Sequence, residues 1–266
     1  MDKLKIGLVL SGGGARGVAH AGALKALDEA GIQPDHISGV SAGAIIGALY
    51  CAGNSPDQIR TIIKLRSLYP LISLRDINGG IIGTKYLESL IRKHAIKDEF
   101  EALKTKLTVG TTNLNTGQIE WFDSGELARI VAASSAIPLL IKPIRIGKDV
   151  YVDGGLINNF PIEPLLGRCD FILGITLHHP MRLKKIDGWR DIVSRCFELI
   201  TWNNIVGHVE GCDHLIDIHG TNGYSVIDFK HADGLFDIGY EETKQQIPRI
   251  LEKLPANLTL EYAENV

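Results

Sequence analysis

The stretch Ile6-Gly7-Leu8-Val9-Leu10-Ser11-Gly12-Gly13-Gly14-Ala15-Arg16-Gly17 decides the fold class. Residues 4–10 make an apolar run of strand length. Behind the glycines, Val18 to Ala30 carries Ala23, Leu24, Leu27 and Ala30 at helical spacing, with Gly31 as a C-cap. His36-Ile37-Ser38-Gly39-Val40 reads as a second short strand, and Ala42 to Ala52, closed by Gly53, as a helix buried on most sides. Strand, helix, strand, helix in so short a span predicts an α/β chain with a mostly parallel central sheet and helices on its faces.

Farther along, residues 55–104 look helical and less regular, with Ser55-Pro56 as a helix start, a break around Pro70, a turn at Gly79-Gly80 and a helix over Thr84 to His94. Leu107 to Thr112 and Gln118 to Phe122 flank Asn113-Leu114-Asn115-Thr116-Gly117 and predict a hairpin. Ser124 is expected to cap a helix through Ala133. Ile141 to Ile146, Asp149 to Val152 and Phe171 to Leu177 read as strands, and helices are expected near Trp189 to Val209 and from about Tyr240 to Leu254, the latter interrupted by Pro248.

The 266 residues, 45% hydrophobic and 22% charged, suit one domain over residues 1–266, with the motifs concentrated in about 5–165. A formal charge of −3 with scattered lysines and arginines gives no basic patch for nucleic acid, so no nucleic-acid partner is expected. The N-terminal apolar run is too short to span a membrane and lacks a signal-peptide pattern; the expected location is the cytoplasm, at most peripheral to the inner face of the membrane. Cys51, Cys169, Cys196 and Cys212 are unevenly spaced with no Cys-x-x-Cys pair, which predicts buried free thiols and neither zinc nor disulfides.

Chemistry concentrates at three glycine-centred segments. In Gly39-Val40-Ser41-Ala42-Gly43 a serine sits between glycines at a strand-to-helix turn, the setting of a strained nucleophile with its hydroxyl exposed to a cleft. The alternative is plain close packing of helix on strand. Gly12-Gly13-Gly14-Ala15-Arg16-Gly17 also matches the dinucleotide pattern Gly-x-Gly-x-x-Gly. That reading wants an acid at the end of the second strand, where this chain has Gly39-Val40-Ser41 and the nearest acid, Asp35, comes before it. As a loop of amides facing an oxyanion the same glycines make better sense. For the base, either a histidine with an acid or a carboxylate acting alone satisfies the chemistry. His208, His214, His219 and His231 follow late in the chain, while Val150-Tyr151-Val152 delivers Asp153 to the end of a strand before Gly154-Gly155. An aspartate with an ordinary pKa of ~3.9 is a poor base at neutral pH and needs partial burial to raise it.

These segments together resemble the patatin-like phospholipases in their small bacterial form. The resemblance rests on Ser11 to Gly17 with His20 and Gly22, on Gly39 to Gly43, on Ala133-Ser134-Ser135-Ala136-Ile137-Pro138, and on Val152-Asp153-Gly154-Gly155 with Asn158-Asn159-Phe160-Pro161. It implies a three-layer α/β/α sandwich and a dyad of Ser41 and Asp153. It further implies an oxyanion hole from the amides around Gly13, Gly14 and Arg16, with Gly12, Gly17, Gly39, Gly43, Gly154 and Gly155 supporting the motifs. Hydrolysis of lipid acyl esters through an acyl-enzyme follows, with a fatty-acyl ester substrate and neither metal nor cofactor. Ser134 and Ser135 lack the glycine elbow and are expected only to end or cap a helix. Arg16 is expected to support the oxyanion rather than pair with an acid. The competing readings are an acyltransferase using the same serine, a dinucleotide-binding module, and a silent lipid-binding protein. Two apolar stretches, Leu68-Tyr69-Pro70-Leu71-Ile72 and Phe197 to Ile205 with Leu199, Ile200 and Trp202, are candidates for transient contact with a membrane surface, against the alternative of core packing. No oligomeric state is read from the chain.

Overall fold

The computed structural model describes residues 4–68, 84–177, 182, 185–226 and 229–255. The break at Pro70, the turn at Gly79-Gly80 and the stretch Tyr69-Pro70-Leu71-Ile72 lie outside the described residues. In chain order the elements are β1 (Ile6–Leu10), α1 (Val18–Glu29), β2 (His36–Gly39), α2 (Ala42–Cys51), α3 (Pro56–Leu68), α4 (Lys85–His94), β3 (Lys106–Asn113), β4 (Gln118–Phe122), α5 (Leu127–Ser134), β5 (Ile144–Ile146), β6 (Asp149–Asp153), β7 (Phe171–Thr176), α6 (Gly188–Val206), β8 (His214–Asp217), α7 (Ala232–Lys244) and α8 (Ile247–Lys253).

All eight strands form one sheet in the order β5-β6-β3-β2-β1-β7-β8, with β4 also paired to β3. The run from β3 through β2, β1 and β7 to β8 is parallel; β4, β5 and β6 pair antiparallel. The continuous apolar run at the start of the chain is explained by its central place. Ile6, Leu8 and Leu10 enter the larger hydrophobic cluster and Val9 the smaller one, as alternation across a strand buried on both faces requires. β7 divides in the same way, Phe171, Leu173 and Ile175 against Ile172.

The larger cluster gathers side chains of α1 to α5, α7 and α8 over one face of the sheet. The smaller is built from Phe160, Ile162, Leu165 and Ile205 of α6 on the other, giving a three-layer α/β/α fold with one thin layer. On the thick side α1 and α7 pack with their backbones in contact, since a Cβ at Gly22 would fall on the Phe236 carbonyl and one at Gly239 on that of Ala19.

Several expected boundaries shift. The helix expected to start at Ser124 begins at Leu127, and its free Ala128 amide is capped from outside by Asp98 Oδ1 at 2.6 Å. The last helix begins at Ala232 rather than near Tyr240 and is separate from α8, whose second residue is Pro248. The short strand β8 was not foreseen, because four residues with two polar members carry too little periodicity to stand out. Cys196 is exposed on α6, contrary to the expectation of buried thiols, whereas Cys51 is buried. No helix among the described residues is long and apolar enough to cross a membrane.

Candidate active site

Ser41 stands at the turn from β2 into α2 with φ 52° and ψ −122°, a conformation that L-residues adopt at a cost of about 1–3 kcal/mol. The flanking glycines are required by contact. A Cβ at Gly39 would lie 2.7 Å from the Gly43 main chain, and one at Gly43 would fall on the Leu10 carbonyl. The strained peptide is held from the end of α5. Ser134 Oγ accepts from the Ser41 N–H at 2.9 Å and donates to the Gly110 carbonyl at 2.7 Å. The Ser135 hydroxyl lies 3.2 Å from the Ser41 carbonyl and 3.0 Å from that of Val131. The next residue, Ala136, takes the Asp153 N–H on its carbonyl at 3.0 Å. Three consecutive residues thus fix the main chain at both Ser41 and Asp153. Their sequence, small and hydroxylic at the end of an apolar helix, reads as helix termination, and the role emerges only from what they touch.

Sheet topology brings Asp153 to Ser41. β2 pairs with Lys106 to Val109 of β3, while β6 pairs antiparallel with Thr111 to Asn113. Because β4 occupies the opposite edge of β3 over Val109 to Asn113, β2 and β6 share one edge and arrive tip to tip across Gly110. The junction is tight at two glycines: a Cβ at Gly154 would strike the Gly110 carbonyl, and one at Gly110 would lie 2.9 Å from Val40 Cγ1 and closer still, 2.6 Å, to the Trp121 ring of β4.

At this junction the Ser41 hydroxyl donates to Asp153 Oδ2 at 2.7 Å. Asp153 Oδ1 accepts the Gly155 N–H at 2.8 Å, and the Thr112 hydroxyl donates to its carbonyl at 2.9 Å. The Asp153 side chain is buried at 1% exposure, and loss of water pushes its carboxyl up to about 7 against the opposing pull of the Ser41 and Gly155 hydrogen bonds. A carboxylate at that value is a competent proton acceptor near neutrality.

The glycine loop borders the same pair. A Cβ at Gly12 would approach Ser41 Cβ to 3.2 Å, and one at Gly17 would meet Ala42 Cβ at 2.5 Å. Gly14 adopts φ 58°, and among the described residues no acceptor takes the amides of Gly13 or Gly14. Arg16 departs from expectation. Its amide closes on the Gly13 carbonyl at 3.2 Å, its Nε donates to the Tyr224 carbonyl at 2.8 Å and its guanidinium pairs with Glu198 at 3.5 Å. Arg16 therefore braces the loop through its side chain. The Ala15 amide, bonded to the Val226 carbonyl at 2.7 Å, anchors the loop from the same side.

The histidines are engaged elsewhere: His208 with Glu163 at 2.7 Å, His214 with Gln246 at 3.1 Å, His219 with Asp217 at 3.7 Å, and the His231 ring against Tyr224. His20, wholly buried, lies with Nε2 at 2.8 Å from the Ser11 carbonyl, and burial pushes its imidazole down to about 4, so it stays neutral behind the glycine loop. Asp35, weighed as the acid of a dinucleotide site, instead accepts the Ile6 N–H at 2.9 Å and clamps β1. Among the described residues no group of three histidines, cysteines or acids has the spacing to hold a metal ion.

Replacing Ser134 by Ala leaves the Ser41 N–H and the Gly110 carbonyl both buried without partners. We expect a loss of about 1–3 kcal/mol in urea denaturation, accompanied by lower turnover than in a Ser124→Ala control.

The family model for patatin-like phospholipases matches residues 8–166. Lysophospholipase nte1 of Aspergillus fumigatus is 29% identical over 97% of this chain, which spans only 19% of that relative's length. An uncharacterized NTE family protein of Mycobacterium tuberculosis is 32% identical over 65% of this chain and 49% of its own. Two solved structures share the fold. VipD from Legionella pneumophila superposes with a TM-score of 0.55 at 19% identity, covering 93% of this chain and 67% of its own. Human GIVD cytosolic phospholipase A2 does so with a TM-score of 0.57 at 13% identity, covering 94% and 60%. With more than half its length inside the family model and the serine, the aspartate and the glycine loop brought together by the fold, the chain belongs to the patatin-like phospholipase family.

Proposed function

We propose that the protein is a serine acyl hydrolase acting on carboxylic esters of lipids, with Ser41 as nucleophile and Asp153 as its base. The observation that carries this reading is the 2.7 Å hydrogen bond from the Ser41 hydroxyl to a buried carboxylate. As Ser41 Oγ attacks the ester carbonyl carbon, its proton passes to Asp153 Oδ2. The negative charge formed on the carbonyl oxygen is met by the amides of Gly13 and Gly14 and by the positive end of α2, which begins immediately after Ser41. Collapse expels the alcohol, whose oxygen takes the proton from Asp153, and leaves the acyl group on Ser41. Water then attacks the acyl-enzyme, giving its proton to Asp153, and the fatty acid leaves as Ser41 recovers its hydrogen.

A lipid substrate also accounts for α6. Trp189, Ile192, Leu199, Ile200 and Val206 are all exposed, and helical geometry places them within about 120° of one another. α6 is also tied to the site, through Asn204 Nδ2 to the Leu156 carbonyl at 2.9 Å and through Glu198 to Arg16. Of the stretch considered for membrane contact, Leu199 and Ile200 face outward while Ile205 is core. In this reading the outer face of α6 rests on a lipid surface beside the opening to Ser41.

Ser41→Ala is expected to abolish ester turnover and labelling by a fluorophosphonate while leaving the thermal midpoint near that of the parent; retained turnover would refute the reading. Because Asp153 must be ionised to accept a proton, kcat/KM should climb about tenfold per pH unit below a midpoint near 7 and level off above it. A profile flat from pH 5 to 8 would contradict it. Leu199→Asp with Ile200→Asp should weaken sedimentation with phosphatidylcholine–phosphatidylglycerol vesicles, yet leave hydrolysis of soluble p-nitrophenyl butyrate unchanged.

A further inference from the structure

The chain that follows Asp153 carries two asparagines with different fates. Asn158 is fully employed, its Nδ2 donating to both carboxylate oxygens of Glu163 at 2.9 and 2.8 Å and its Oδ1 accepting the Phe160 N–H at 2.9 Å. Asn159 is equally buried, at 3% exposure, but makes no hydrogen bond with any described residue. Neither of its amide atoms is among the fully enclosed polar atoms that lack a partner, so both keep some contact with solvent, and a nearly buried amide with open hydrogen-bonding capacity calls for an explanation.

Its position supplies one. Asn159 Oδ1 occupies the space that a Cβ at Gly12 would enter, and the same atom lies 2.5 Å from where a Cβ at Gly155 would be. The Gly12 Cβ would lie 3.2 Å from Ser41 Cβ, and the Gly155 Cβ would lie 3.1 Å from Asp153 Oδ1. The Asn159 carboxamide therefore borders the gap between the glycine loop, the serine and the carboxylate. Gly12 and Gly155, more than a hundred residues apart, lack side chains at the two points where one would expel it.

We propose that Asn159 is a further catalytic residue of this site, its amide N–H₂ donating to the oxygen of the reacting ester as charge develops there. This rests on the assignment of Ser41 and Asp153 made above. Backbone amides of Gly13 and Gly14 approach the ester from the loop, and Asn159 adds a side-chain donor from the segment that follows the base. The oxygen is the end that faces Gly12 and Gly155, and a half-turn about χ2 brings the N–H₂ end to the same place; an ester brings only acceptor oxygens, so the donor end is the one that gains a partner. The partner missing in the free protein arrives with the substrate.

The test compares Ser41→Ala, Asn159→Ala and Asn159→Asp with the parent on p-nitrophenyl butyrate, with thermal midpoints measured alongside. Asn159→Ala is expected to lower kcat by about 10²-fold with KM little changed, the loss typical of an oxyanion donor. Asn159→Asp keeps the shape but replaces the donor with a second carboxylate near Asp153. It should lose at least as much and move the rising limb of the pH profile upward, because like charges oppose ionisation. Parent-like kcat in Asn159→Ala at an unchanged thermal midpoint would overturn the proposal. So would parent-like kcat in Asn159→Asp, which would show that shape alone matters; this second variant carries the test if the alanine variant fails to fold. Activity retained by Ser41→Ala would instead remove the reading underneath. An inactive Ser41→Ala beside a parent-like Asn159→Ala would sink only the Asn159 role.

Discussion

The strained peptide at Ser41 is the constraint on which the rest of the site depends. A serine at φ 52° turns its hydroxyl out of the helix that follows, and nothing in the local chain favours that state over a relaxed one. What holds it is a pair of hydroxyls from elsewhere. Ser134 takes its N–H, and the Ser135 hydroxyl sits against its carbonyl, so relaxing the backbone would break buried hydrogen bonds on both sides of the residue. Because Ser134 also bonds Gly110, the strain is spread into the central strand β3 rather than carried by a loop.

The same few residues explain why the carboxylate is in register. Two strands that end against each other on one edge of β3 can bring their last side chains together only if the crossing is narrow, and Gly110 and Gly154 make it narrow. Ala136 then fixes the main chain of Asp153 one residue beyond the hydroxyl that fixes Ser41. A displacement of α5 would move Ser41 and Asp153 together, which preserves their separation. Such coupling suits the proton transfer proposed along the single 2.7 Å hydrogen bond between them.

Electrostatically the pair works by exclusion of water rather than by a third residue. Asp153 has two hydrogen-bond donors at its oxygens, yet burial outweighs them and raises its carboxyl into the neutral range. The imidazole behind the glycine loop, His20, is driven the other way by the same desolvation and adds no charge. Arg16, the cation nearest in sequence to the site, is tied to Glu198 and the Tyr224 carbonyl, so its charge is spent on holding the loop and α6 together. The field at Ser41 is left to amides, to the first turn of α2 and to one carboxylate.

Much of this was legible in the amino-acid order. The run over residues 4–10, the alternation of strand and helix around two glycine segments, and the delivery of Asp153 by Val150-Tyr151-Val152 are local patterns, and local patterns report backbone conformation directly. They determined the α/β class, most elements, and Ser41 and Asp153 as the pair to examine. Tertiary structure alone decided three things. It turned Ser134 and Ser135 from helix-ending residues into the clamp on Ser41, it committed Arg16 to Glu198, and it left Asn159 without a partner beside Gly12 and Gly155. Each of these depends on at least one contact between residues 90 or more apart in the chain, and a hydroxyl, a guanidinium or an amide carries no mark of which distant group it will meet. Short-range pattern encodes the shape of the backbone, whereas the duty of a polar side chain is set by whatever packing brings within hydrogen-bonding distance of it.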